Sequence, residues 1–106
     1  MICIKNLRNE KCVNEWDVRV DRANKILGNK FYMHSENERD YVCNAYRAWL
    51  YKEIKNNNLL VINELKRLKN IYLKYNKLNL FCWCAPKRCH AEEIKYVLEL
   101  SLRKEA

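Results

Sequence analysis

The 106-residue sequence has little of what marks turns, linkers and membrane segments. It contains one glycine and one proline, and no repeat or low-complexity stretch divides it. Its apolar stretches fall well short of the ~20 residues that a membrane-crossing helix requires. The first five residues lack the basic stretch and following apolar run of a secretory signal. We therefore expect residues 1–106 to form a single domain that works in the cytoplasm, without a membrane partner.

Composition favours a folded, basic protein. Hydrophobic residues make up 49% of the chain, which is enough to build a core and too many for a disordered tail. Lysine and arginine number 21 against 13 acidic residues, giving a formal net charge of +8. Such an excess favours a phosphate-bearing partner, either a nucleotide or a nucleic acid. Lysines on an ordinary solvated surface would give the same net charge, so charge alone does not identify the partner.

Local patterns predict three strands and three helices. Alternating or continuous apolar residues indicate strands at 2–4, 18–22 and 78–83. Ser35 and Glu38 form a capping box, which starts a helix that runs to about residue 55. A second helix follows the asparagines at 56–58, and a third begins near Cys89. The predicted inner stripe of the second helix is Leu59, Ile62, Leu65, Leu68 and Tyr72.

The predicted fold is α/β, in the order β-β-α-α-β-α, with a short, mostly parallel sheet of about three strands packed with three helices. Strands joined by a helical crossover lie parallel, so their carboxyl ends meet at one edge of the sheet, where ligands bind. One such end leads to Arg22 and the loop that contains Gly28 and Asn29. The other leads to residues 82–90. We therefore expect these two distant segments to form one pocket.

Four potential metal ligands occur within nine residues: Cys82, Cys84, Cys89 and His90. In a reducing cytoplasm, thiols of this kind favour a metal over disulfides. Zinc commonly binds three cysteines and one histidine, but adjacent Cys89 and His90 should point in different directions from a helix start. Three thiolates holding a [4Fe–4S] cluster, with His90 free for acid–base work, is the other metal-containing possibility.

Two metal-free alternatives remain open for the same segment. Cys89 is predicted at a helix N-terminus beside Lys87 and Arg88, and all three features lower a thiol pKa. Cys89 would then be a nucleophile, with His90 as a candidate base. Burial in an apolar core explains single cysteines such as Cys82 equally well.

Basic residues near the predicted pocket are candidates for holding an anion. Arg22, Lys87 and Arg88 can each bind a phosphate oxygen. Gly28 and Asn29 tolerate unusual backbone angles, which predicts a tight turn or a close backbone approach there. These five residues are the predicted ligand-binding set.

Several of these segments together resemble a phage-associated family, the domain of unknown function 4326. The resemblance rests on Asp21-Arg22, Gly28-Asn29 with Phe31, the segment 46–50 (Tyr-Arg-Ala-Trp-Leu), and the pattern C-x-C-x-P-x-x-C-H at 82–90. It covers roughly residues 16–102 and departs at Lys30, where the family usually has proline. The resemblance implies a small phage or prophage protein whose site is built from Arg22, Asn29 and the Cys/His segment, and it names no reaction.

Three functions follow as hypotheses. The first is a zinc or iron–sulfur site next to a basic pocket for a nucleotide or nucleic-acid phosphate. The second is a phage-encoded inhibitor of a host defence complex, such as a CRISPR effector, in which the cysteines only stabilise the fold. The third is a thiol-dependent enzyme that modifies nucleotides through Cys89 and His90. Each places the protein in the cytoplasm of the host cell.

Overall fold

A computed structural model describes residues 1–105. The chain forms three strands, three α-helices and one short 3₁₀ turn (Glu36–Glu38). The strands are β1 (Ile2–Asn6), β2 (Asp17–Arg19) and β3 (Leu78–Cys82), and the helices are α1 (Arg39–Lys55), α2 (Leu59–Tyr75) and α3 (Ala91–Glu105). The predicted α/β class and the order β-β-α-α-β-α are confirmed.

The three strands form one parallel sheet in the order β1-β3-β2. Leu80 of the central strand pairs with Ile4 on one side and with Val18 on the other. Four of the five β3 residues are buried, which explains the nearly continuous apolar run of this strand. Because all strands run the same way, the segments that follow Asn6, Arg19 and Cys82 leave from the same edge.

The start of α1 differs from the predicted capping box. The Ser35 side chain does not cap the helix, and its hydroxyl donates to Asn37. The Glu38 carboxylate accepts instead from the backbone N–H of His34, at 2.8 Å. The chain therefore makes one 3₁₀ turn first, and the α-helix begins only at Arg39.

Asparagines define the ends of α2. The Asn58 side chain accepts from the backbone N–H of Leu60, and Asn76 ends the helix in the left-handed conformation with a φ of 56°. The predicted inner stripe was wrong at Leu59, which is 67% exposed. Leu59 is the first helical residue, before contact with the core begins, and Val61 takes the inward position together with Leu65 and Leu68.

The loop after β2 is fixed to the core at two points. The Tyr46 hydroxyl of α1 is fully buried and donates to the backbone oxygen of Leu27 at 2.6 Å. Next to it, a Cβ on Gly28 would lie only 2.6 Å from the Asn24 oxygen and 2.8 Å from the Asp21 oxygen. The predicted close backbone approach at Gly28 is therefore present, and its partner is the chain's own loop.

Among the described residues, no helix is both long and apolar enough to cross a membrane.

Tyr46→Phe tests how strongly the core holds this loop. Removing the hydroxyl leaves the buried Leu27 oxygen without its donor, so we expect a loss of about 1–3 kcal/mol in the free energy of unfolding, measured in urea. Tyr41→Phe is the matched control, because Tyr41 lies on the same helix and is 75% exposed. Equal stability of the two variants would contradict this account of the loop.

Candidate functional site

The segments that follow β2 and β3 meet around a cleft of about 370 Å³ at the carboxyl edge of the sheet. Cys82, Cys84, Cys89 and His90 line one part of it, and Arg22 and Asn29 line another. The two stretches that sequence analysis placed in one pocket therefore do lie together. The third strand end takes part as well, through Asn6.

Three free thiols converge at the base of the cleft. The Sγ atoms of Cys82 and Cys89 are 3.2 Å apart, far beyond the ~2.05 Å of a disulfide. Cys84 lines the same part of the cleft. Cys82 and Cys89 are buried, whereas Cys84 is partly exposed.

Proton sharing separates the pKa values of these thiols. Donation from Cys89 lowers the pKa of Cys82 to about 6. The same donor lowers the pKa of Cys84 to about 5, with a further contribution from the Arg39 guanidinium. Donation to both neighbours, together with burial, raises the pKa of Cys89 well above its ordinary value.

The low pKa expected for Cys89 was therefore wrong. The helix N-terminus acts in the predicted direction, because the Ala91 N–H donates to Cys89 Sγ at 3.3 Å. The hydrogen bonds from Cys89 to its two neighbouring cysteines raise its pKa by more than the helix N-terminus lowers it. The side chains of Lys87 and Arg88 are directed to carboxylates instead.

His90 is buried, and its two ring nitrogens have different partners. Nε2 lies 2.5 Å from the backbone oxygen of Val20, and because a carbonyl only accepts, Nε2 carries the proton. Nδ1 therefore has a free lone pair, and it lies 3.9 Å from Cys89 Sγ. Burial lowers the pKa of His90, which favours the neutral ring. The Cys89 and His90 side chains therefore lie next to each other.

Asn6 holds the cysteine segment in place and was missed by sequence analysis. Its side-chain N–H groups donate to the backbone oxygens of Ala85 at 2.7 Å and Trp83 at 3.3 Å. The next residue, Leu7, donates its backbone N–H to the Cys82 oxygen. The signal for this role lies in the register of the sheet, where Asn6 pairs with Cys82.

Arg39 was also missed. It donates to the Arg88 backbone oxygen at 2.8 Å, pairs with Glu36, and hydrogen-bonds to Cys84. A cation in the first turn of a helix opposes the helix dipole, so its position at the start of α1 was a local inconsistency. That inconsistency is the one sequence signal that pointed to a role for Arg39 outside its own helix.

Arg22 is the cation of the cleft whose charge is least neutralised. Its guanidinium donates to the backbone oxygens of Asn29 at 3.1 Å and Phe31 at 3.4 Å, and lies 4.3 Å from the centre of the Tyr32 ring. Within residues 1–105, no carboxylate forms an ion pair with it. The Asn29 side chain accepts from the Phe31 N–H and fixes the turn.

The other predicted anion-binding residues have different surroundings. Arg88 lines the cleft, but its guanidinium is bound by Asp40 at 3.0 Å and Glu93 at 3.5 Å. The Lys87 ammonium lies 3.4 Å from Glu36 at an exposed position. Gly28 is buried against the loop backbone and does not line the cleft.

The Asp21 carboxylate links the segment after β2 to the segment after β3. It accepts from the Trp83 indole N–H at 2.8 Å and from Arg19 Nε at 3.0 Å. Burial acts to raise the pKa of this carboxyl, but the hydrogen bonds from Arg19 and Trp83 outweigh it and lower the pKa below its ordinary value. Asp21 therefore stays ionised at neutral pH.

Among the described side chains, no group of three or more His, Cys, Asp or Glu residues is placed so that it could hold a metal ion. Two thiolates at ~2.3 Å from one tetrahedral zinc stand ~3.8 Å apart. The Cys82 and Cys89 Sγ atoms, at 3.2 Å, are closer than that. A zinc ion bound by both thiolates would require these sulfurs to stand ~0.6 Å farther apart.

A family model described as Domain of unknown function (DUF4326) matches residues 5–100. The match includes all of β2 and β3, the loop with Gly28 and Asn29, and the whole segment 82–90. No curated protein and no solved structure matches this chain.

Asp21→Asn tests the link between the two sides of the cleft. Because the folded-state pKa of Asp21 is lowered, its stabilisation is present above the ordinary carboxyl pKa of ~3.9 and is lost as pH falls through the folded value. At pH 7 we expect a loss of about 1–3 kcal/mol in the free energy of unfolding. Urea unfolding from pH 7 to pH 2 should show the gap to wild type narrowing in acid.

The exposed variant Glu10→Gln is the control for this series, because its carboxylate forms only a 3.6 Å surface ion pair. A gap for Asp21→Asn that stays constant down to pH 2 would mean that the Asp21 charge does not stabilise the fold.

Proposed function

This chain belongs to the Domain of unknown function (DUF4326) family, and from that premise we propose that it binds one zinc ion beside a cleft for a phosphate-bearing ligand. Cys82, Cys84, Cys89 and His90 are the proposed zinc ligands. The observation that carries the proposal is the orientation of His90, whose unprotonated nitrogen lies 3.9 Å from Cys89 Sγ.

The hydrogen bond of His90 is the kind that metal-binding histidines make. Such histidines nearly always donate the other ring N–H to a carbonyl or carboxylate, which fixes the tautomer and the ring. Nε2 donates to the Val20 oxygen, and Nδ1 faces Cys89 Sγ at 3.9 Å. This orientation leaves Nδ1 beside Cys89 Sγ with its lone pair available, as a zinc ligand requires.

The spacing of the sulfurs favours a single ion over an iron–sulfur cluster. In a [4Fe–4S] cluster each cysteine binds a different iron, so the sulfurs stand farther apart than two ligands of one ion. The 3.2 Å between the Cys82 and Cys89 sulfurs is nearer to the ~3.8 Å of two thiolates on one zinc than to the wider spacing around a cluster. A cluster held by the three thiolates would also leave His90 outside the metal coordination.

Charge supports the same assignment. Three thiolates and one neutral imidazole leave a zinc centre with one negative charge. The Arg39 guanidinium, which hydrogen-bonds to Cys84, offsets it. Zinc bound here would join the segment after β3 to the start of α3 and so fix one wall of the cleft.

The cleft itself favours a nucleotide-sized ligand. A volume of about 370 Å³ falls in the ~300–1,000 Å³ range of small-molecule sites and is too small to hold a duplex. Arg22 offers a charge to a phosphate, and the exposed rings of Tyr32 and Trp83 offer faces to a base. A phage origin, a place in the host cytoplasm and the defence-inhibitor hypothesis stay predictions.

Metal content of the protein purified without oxygen or chelator tests the zinc site. We expect about one zinc per chain by elemental analysis in a colourless solution. Cys84→Ser and Cys89→Ser should each lose zinc to a competing chelator far more readily than wild type. Cys43→Ser and Cys12→Ser, which alter cysteines outside the cluster, should retain it.

Three results would overturn the zinc assignment. Protein that takes up neither zinc nor iron when supplied with both has no metal site. A brown protein with iron and sulfide has a cluster instead. Equal loss of zinc from the Cys12 and Cys43 controls would mean that the metal is bound elsewhere or nonspecifically.

Ligand binding is tested separately with pyrophosphate and a panel of nucleoside mono- and triphosphates, by calorimetry on wild type. Loss of one charged hydrogen bond costs about 1.5–3 kcal/mol, so Arg22→Gln should weaken binding by about tenfold or more. Arg22→Lys, which keeps the charge, should recover part of the affinity. Arg8→Gln, at an exposed position outside the cleft, should bind as wild type does. No binding at millimolar concentration, or equal binding by Arg22→Gln, would contradict the proposal.

A further inference from the structure

A second concavity of about 740 Å³ lies between the three helices and shares no lining residue with the cleft at the sheet edge. We call it the helical groove. Its walls come from residues 47–55 of α1, 62–69 of α2 and 96–104 of α3. Neither the zinc site nor the phosphate-bearing ligand uses this surface.

The floor of the helical groove is apolar. Tyr51, Tyr96 and Leu100 are 37%, 47% and 37% exposed, and Ile62 and Val97 beside them are half-buried. Apolar side chains from three helices thus form one continuous accessible surface. Contiguous apolar surface of this kind in a soluble domain often marks an interaction site.

The rim of the helical groove is basic. Five cations surround the floor: Arg47, Lys55, Lys66, Lys69 and Lys104. Within the described part of the chain, no aspartate or glutamate lines the groove. Lys69 donates to Ser101 at 2.8 Å, and Arg47 lies 5.5 Å from the centre of the Tyr51 ring and 3.9 Å from Glu93, which does not line the groove.

We propose that the helical groove binds an acidic amphipathic helix of a partner protein. In this binding mode, apolar residues at positions i, i+3 or i+4, and i+7 enter the floor, and acidic residues meet the rim. The walls contributed by α2 and α3 each span eight or nine residues, or ~12–14 Å of helix. A partner segment of two to three helical turns matches that length.

Charge and shape distinguish this occupant from others. A second copy of this chain would bring another basic rim and a net charge of +8 against the first, which repels. Single-stranded nucleic acid would satisfy the rim and could stack on Tyr51 and Tyr96, but it would leave the aliphatic side chains of the floor uncovered. A membrane surface would reach the rim without filling the concavity. An acidic amphipathic helix satisfies rim and floor together.

The test uses a fluorescently labelled 16-residue peptide with leucines at i, i+3, i+4 and i+7 and glutamates elsewhere. A peptide of the same composition with the leucines out of helical phase is the matched probe. We expect the phased peptide to bind the full chain at least tenfold more tightly, with an affinity that falls as salt rises. Leu100→Asp and Lys66→Glu should each weaken binding about tenfold.

Leu60→Asp and Lys74→Glu are the control variants, because both residues lie exposed on α2 outside the groove. They should bind the phased peptide as wild type does. Equal affinity for the two peptides, or equal loss in the control variants, would overturn the proposal. Tighter binding of an oligothymidine strand or of phosphatidylserine vesicles, lost in Lys66→Glu, would assign the rim to nucleic acid or to a membrane. None of these outcomes depends on zinc or on the cleft.

Discussion

The parallel pairing of β3 with a strand on each side places the segments of the candidate site at one edge of the sheet. Asn6 lies opposite Cys82 in one ladder, and Arg19 lies opposite Phe81 in the other. The chain therefore leaves all three strands at the same edge, with the cysteine segment in the middle. Without this register, the thiols, the loop with Gly28 and the start of α1 would not share one cleft.

The ends of β1 and β2 and the start of α1 each contribute hydrogen bonds that shape the segment 82–90. Asn6 binds the backbone of the turn, and the Val20 oxygen after β2 fixes the tautomer of His90. Arg39, at the start of α1, binds the Arg88 oxygen and approaches Cys84. The three thiols are thus held together by groups from three other elements. This degree of support is what a site needs if its geometry is to be fixed before a ligand arrives.

Local sequence pattern was enough to predict the element order, the α/β class and the common edge, because each depends on apolar periodicity and on the rules of parallel crossover. The clustering of Cys82, Cys84, Cys89 and His90 is also local. The roles of Asn6 and Arg39 were missed because they depend on contacts across 79 and 49 positions. The predicted pKa of Cys89 was wrong for the same reason. Nearby charge and helix position can be read from the sequence, but the fold decides which thiols accept the Cys89 proton.

We propose a metal site at the sheet edge and a separate docking surface between the helices. The central claim is that one zinc ion joins the three thiols to His90. X-ray absorption at the zinc edge, on protein loaded with one equivalent, tests this claim most directly. The account predicts three sulfur ligands near ~2.3 Å and one nitrogen near ~2.0 Å. A first shell of oxygen and nitrogen alone, or a sulfur shell unchanged when Cys84 and Cys89 are both replaced by serine, would contradict it.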